Sequence, residues 1–111
     1  MRTGCTRLGD YLPFGVDLSE KRVVIALAGT FGQMIKQYAH ESGAFEVVGW
    51  VDYDYWEYRR LGMDVDPFED VNDVDFDYVI VAKMEPKEAG VIADMISARI
   101  KGDKILRIVG R

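Results

Sequence analysis

Apolar and polar positions fall into blocks along this chain, and the blocks carry two different periods. The run Arg22-Val-Val-Ile-Ala-Leu-Ala28 is apolar throughout after its arginine, with a β-branched centre at Val23, Val24 and Ile25. A run of that kind suits a strand buried on both faces, near residues 22–28. Directly after it, Phe31, Met34, Ile35, Tyr38 and Ala39 recur at i, i+3, i+4, i+7 and i+8. That spacing predicts a helix from about Thr30 to Ser42, with Gly43 as its left-handed stop.

The same reading continues downstream. Residues 45–52, Phe45 to Asp52, form a second strand; residues 54–61 form a short helix halted by Gly62. Met63 to Val65 suit a brief edge strand and Pro67 to Val71 a single helical turn, before another buried strand over Phe76 to Ala82. Pro86 occupies the favoured first position of a helix, with Glu85 ahead of it. Its stripe is Ala89, Ile92, Ala93, Ile96 and Ile100, and Gly102 marks its end. Lys104 to Val109 supply the last strand.

Strands alternating with helices at these intervals imply βαβ units, parallel pairing and right-handed crossovers. The expected fold class is α/β: a three-layer sandwich around a parallel sheet of about five strands in the order 3-2-1-4-5. Residues 1–20 stand apart, because Gly4, Gly9 and Gly15 break any periodicity. They read as a tail and a docking segment, whose Leu12 and Phe14 are expected to pack against the sheet; residues 21–111 form the domain proper.

With 111 residues the chain suits one domain, and 49% hydrophobic with 30% charged residues marks an ordinary globular composition. The formal charge of −5 argues against nucleic acid and anionic membranes as partners. The acidic runs Asp64 to Asp70 and Asp73 to Asp77 read as solvated loop surface. Cys5 is the only cysteine, which excludes an internal disulfide and a thiolate metal cluster and fits a reducing, cytoplasmic setting. No apolar stretch approaches the length of a membrane span.

Candidate chemistry gathers at Leu27-Ala28-Gly29-Thr30-Phe31-Gly32. A dinucleotide-binding turn follows its first strand with G-x-G-x-x-G and places an acid about 20 residues on. Here Gly29 and Gly32 occupy the second and third glycine positions, Leu27 replaces the first, and Asp52 lies 23 residues beyond Gly29. The turn aims backbone N–H groups and a helix N-terminus at one point, which suits phosphate or carboxylate. Asp52 is placed to accept ribose hydroxyls and to repel a 2′-phosphate, so NAD-like ligands are preferred over NADP-like ones; the alternative is a strand-end acid capping the next helix. Tyr53, Tyr55, Trp56 and Tyr58 offer rings for a base, or packing for a core or interface. Lys83, after the fourth expected strand, is the best-placed cation for a distal phosphate; otherwise it is a solvated charge. His40 falls in the last turn of the first helix and reads as surface. No nucleophile–base pair and no metal-ligand set stands out, so catalytic and metal residues are expected to be none.

Leu12-Pro-Phe14, Lys21-Arg-Val-Val-Ile25, Ala28-Gly29-x-x-Gly32, Val47-Val-Gly-Trp-Val-Asp52 and Asp75-Phe-Asp-Tyr-Val-Ile-Val-Ala82 together cover most of the chain. This pattern resembles the small Rossmann-like modules of bacterial polysaccharide and nucleotide-sugar pathways, which occur beside or fused to glycosyltransferases, methyltransferases and sugar-modifying enzymes. It is also similar to the nucleotide-binding half of nucleotide-sugar dehydratases and sialic-acid-type acetyltransferases. In those modules the turn usually opens Tyr-Gly-Ala-Gly, where this chain has Ala26-Leu27-Ala28-Gly29. The resemblance implies an accessory domain for a nucleotide or nucleotide sugar, NAD or another adenine or uridine nucleotide, in a cell-surface sugar pathway. A homodimer or a parent enzyme domain is the expected protein partner, since the last strand is apolar on both faces. Two alternatives stand beside it: an interaction module whose vestigial pocket is filled by Leu27, and the NAD-binding half of a nucleotide-sugar oxidoreductase.

Overall fold

The structure, a computed structural model, describes Leu18 and residues 20–73, 75–83, 85–100 and 104–107. Cys5, the docking residues Leu12 and Phe14, Gly102 and the end of the last expected strand at Ile108 and Val109 lie outside the described residues. Four parallel strands, β1 (Arg22–Ala26), β2 (Glu46–Val51), β3 (Tyr78–Val81) and β4 (Ile105–Arg107), form an open sheet in the order β2-β1-β3-β4. Between them run α1 (Thr30–Ser42), α2 (Tyr55–Arg60), a 3-10 turn over Phe68–Asp73, and α3 (Pro86–Ser97).

The α/β class and the parallel sheet hold, with one strand fewer among the described residues than the sequence suggests. The expected edge strand over residues 63–65 is reduced to a single parallel bridge between Asp66 and Val51. The chain has room for no more. The N–H of Met63 is still bonded to the carbonyl of Tyr58 at the end of α2, and Pro67 already opens the 3-10 turn through the N–H of Asp70. The five-strand order 3-2-1-4-5 therefore becomes a four-stranded sheet, its remaining neighbours in the expected sequence.

Val23, Val24, Ile25 and Ala26 are all fully buried, as are Val79, Ile80 and Val81. Successive strand residues point to opposite faces, so both faces of the sheet centre are covered. Helix α1 packs on β1 and β2, and α3 packs on β3 and β4. The crossovers β1→β2 and β3→β4 run in opposite directions across the sheet, and right-handed connections then bring α1 and α3 to opposite faces. Ile35 and Ala39 anchor α1; Ala89, Ile92 and Ile96 anchor α3. Met34, expected in the first stripe, is exposed instead, and Phe31 and Tyr38 are half-buried.

Local signals explain the helix ends. Gly43 adopts φ 68° and returns its N–H to the carbonyl of Ala39, the left-handed stop that lets α1 end cleanly. The Glu85 side chain accepts the N–H of Glu88, and Pro86 follows it as the first helical residue of α3. Helix α3 ends at Ser97, short of Gly102, and the following N–H groups of Arg99 and Ile100 both turn back to the Ile96 carbonyl.

The acidic run before β3 is more than solvated surface. The N–H of Arg22 donates to Asp77 Oδ2 at 2.8 Å, and the Arg22 guanidinium reaches Asp75 Oδ2 at 2.9 Å. These contacts tie the loop to the start of β1. They hold the Asp77 carboxyl below the usual carboxylate range, the Arg22 N–H being the larger cause and the guanidinium charge a lesser one.

Candidate functional site

The site grows from the end of β1. Leu27 takes φ 87°, the left-handed region that a side chain disfavours and the conformation a glycine would supply. The structure holds it there from three sides. The N–H of Leu27 donates to the Val51 carbonyl at 2.7 Å, the Trp50 indole Nε1–H donates to the Leu27 carbonyl at 3.0 Å, and the side chain is buried in the core. The missing first glycine is thus replaced by a leucine that keeps the turn and is fixed by β2.

Ala28 is fixed in the same way. Its N–H donates to Asp52 Oδ2 at 2.7 Å, and its carbonyl accepts from Gln33 Nε2 at 3.1 Å. The other Asp52 oxygen accepts the N–H of Asp54 at 2.6 Å. Asp52 is 4% exposed and the only buried polar or charged side chain among the described residues. The expected ribose acceptor is therefore engaged first as a backbone clamp, holding the β1 turn and opening the segment toward α2. A carboxylate has about four acceptor sites, so two are taken by the protein itself.

Gly29 and Gly32 divide the labour between space and packing. Gly29 has extended backbone (φ −71°, ψ −167°), and a methyl group on it would meet only Tyr58 Oη at 3.9 Å. It leaves open room at the mouth of the turn. A methyl group on Gly32 would collide with the Leu27 carbonyl, so this glycine is what lets α1 lie against the end of β1. The N-cap of α1 is Gly29, which has no side chain to cap the helix, and the N–H groups of its first turn, Thr30, Phe31 and Gly32, have no partner within the helix.

These pieces line a cleft of about 510 Å³ at the carboxyl ends of the strands. Its walls are Leu27, Gly29, Thr30 and Phe31 after β1; Asp52, Tyr53, Asp54 and Tyr58 after β2; and Ala82, Lys83, Glu85 and Glu88 after β3. The strand order reverses between β1 and β3, and open α/β sheets bind ligands at such a switch point. Of the residues singled out from sequence, the cleft brings together Leu27, Gly29, Thr30, Phe31, Asp52, Tyr53, Tyr58 and Lys83; Ala28 and Gly32 support it from behind.

The electrostatics are lopsided. Asp52, Asp54, Glu85 and Glu88 face Lys83, the one cation among the described lining residues. Lys83 Nζ lies 3.0 Å from Glu88 Oε1, and this hydrogen bond and charge raise the lysine above its ordinary value. Burial, followed by the charges of Asp52 and Asp54, raises the Tyr58 phenol. Tyr53 is exposed and packs its ring on Phe68, with centroids 5.9 Å apart, so an aromatic face stands at the rim; Trp56 is exposed outside the cleft lining. Sequence reasoning did not single out Asp54 or Glu88. The spacing Glu85-Pro-Lys-Glu88, an N-cap and its third helical residue, is the signal that places Glu88 beside the loop holding Lys83.

A second hollow of about 560 Å³ is lined by Lys36, His40, Phe45 and Val47 among others. It sits beside the negative C-terminal end of α1 and the start of β2, away from the switch point, and lacks the helix N-terminus that distinguishes the cleft. Among the described residues no group of three or more His, Cys, Asp or Glu is arranged to hold a metal ion. None of their helices is long and apolar enough to cross a membrane. Compared with protein-family models, curated proteins and solved structures, the chain matches none.

Proposed function

We propose that this chain is a nucleotide- or nucleotide-sugar-binding module, which holds its ligand in the switch-point cleft and leaves the chemistry to a partner or parent enzyme domain. One observation carries the reading. The uncapped first turn of α1 and the open space at Gly29 meet, in one cleft, the ring of Tyr53 and the side chain of Lys83. The first-turn N–H groups suit a phosphate, the Gly29 gap lets it approach the backbone, and Tyr53 offers a stacking face for a base. In this reading an adenine or uridine nucleotide, NAD included, is the ligand class. The setting is a cytoplasmic sugar pathway serving the bacterial cell surface, and the edge strand β4 is the contact to a second copy or to the enzyme domain.

A second reading, an interaction module with a vestigial pocket, is favoured by the engagement of both Asp52 oxygens and of Lys83 with the protein's own groups. Calorimetric titration with ADP, UDP and adenosine separates the two. The nucleotide reading expects dissociation constants of about 10 μM to 1 mM, weak because few ligand contacts are already in place. Absence of heat and of competition up to several millimolar returns the cleft to the interaction reading.

A further inference from the structure

We propose that Glu88 sets the charge of the ligand this cleft accepts, by holding Lys83 in an ion pair at its mouth. The inference rests on the reading of the cleft as a nucleotide site. Two of the four carboxylates lining the cleft are fixed by backbone donors: Asp52 by the N–H groups of Ala28 and Asp54, and Glu85 by the N–H of Glu88. Their negative charge is therefore built into the turn and the helix cap. Lys83 is the only described cation facing that charge, and its Nζ is 3.0 Å from Glu88 Oε1. A phosphate entering the cleft competes with Glu88 for the same ammonium group, whereas an uncharged nucleoside does not.

The pair is also exchangeable. Both side chains are about half exposed, Lys83 at 44% and Glu88 at 60%, and exposed ion pairs are weak. Glu88 thus works as an internal occupant of the phosphate subsite, displaced by a ligand whose own anion binds Lys83 and the first-turn amides of α1 together. Its backbone N–H, not its carboxylate, makes the helix cap with Glu85, so the carboxylate can be changed without breaking the cap.

The test is calorimetric titration of ADP and adenosine into the wild type, Glu88→Gln, Lys83→Gln and the double variant, with melting curves to check the fold. Glu88→Gln is expected to tighten ADP by about three- to fivefold and to leave adenosine unchanged within about 1.5-fold. The gain should vanish in the double variant and shrink as salt rises. Glu88→Ala serves as the second variant and is expected to give the same shift. Unchanged ADP affinity, equal tightening of adenosine, or a gain that survives without Lys83 overturns the role of Glu88. If neither probe binds any of the four proteins, the nucleotide reading of the cleft fails, and this inference with it.

Discussion

The carbonyl of Leu27 occupies the place where a side chain on Gly32 would begin. A methyl group there would also come within 3.2 Å of the Leu27 carbonyl carbon and 3.5 Å of Ala82 Cβ. The carbonyl cannot easily retreat, because the Trp50 indole bonds it from the β2 side. Helix, turn and second strand therefore meet at one atom, and the cleft is built around that meeting. Gly32→Ala is expected to cost about 1–3 kcal/mol through overpacking. Urea unfolding measures it, and an unchanged midpoint would contradict the packing described.

Leu27 itself gives an unusual ordering of variants. Truncation to alanine removes a buried side chain, costing about 2–5 kcal/mol, and keeps a side chain at φ 87°. Truncation to glycine removes the same contacts but releases about 1–2 kcal/mol of left-handed strain. That release outweighs the roughly 0.5–1 kcal/mol by which glycine ordinarily falls below alanine. Leu27→Gly should thus be at least as stable as Leu27→Ala in parallel urea titrations. A clearly less stable glycine variant would contradict the strain at this position.

Gly29→Ala should separate binding from folding. The backbone at Gly29 is open to any residue, and the added methyl meets only Tyr58 Oη at 3.9 Å. Stability should stay within about 1 kcal/mol of the wild type. The methyl narrows the gap through which a phosphate would approach the first turn, so affinity for ADP should fall about tenfold or more. Wild-type affinity in this variant would remove Gly29 from the site.

Much of this was legible in the chain because the signals were local. The stripe of Ile35 and Ala39, the stop at Gly43 and the opening at Pro86 each depend on neighbours a few residues away. The switch-point position of Gly29, Asp52 and Lys83 followed from the alternation of strands and helices. What stayed hidden depends on contacts between distant segments. Spacing placed Asp52 at the end of β2 but could not show that its carboxylate takes the N–H of Ala28. The substitution at Leu27 hid the positive φ, since a leucine gives no hint of a left-handed turn; the restraint comes from Val51 and Trp50. The edge strand over residues 63–65 failed on the geometry of its two flanks, the end of α2 and the turn at Pro67.

The acid limb of stability has an identifiable contributor. Asp77 is held below its ordinary value of 3.8 by the N–H of Arg22 first and the Arg22 charge after it. A depressed folded value means that its stabilisation is fully present above the unfolded value and is lost as pH falls through the folded one. Asp77→Asn should therefore flatten the loss of stability below about pH 4, with little change in the slope above it. Urea midpoints across that range check it; an identical acid limb in the variant would contradict the role of Asp77.

Whether the switch-point cleft holds a nucleotide is read most directly from backbone amide shifts in a ¹⁵N-resolved NMR titration with ADP. Shifts are expected to concentrate at Gly29, Thr30, Phe31 and Gly32, with Tyr53 and Lys83 following on the same binding curve. Shifts confined to the opposite hollow around Lys36, His40 and Val47, or none at several millimolar ADP, would contradict the nucleotide reading.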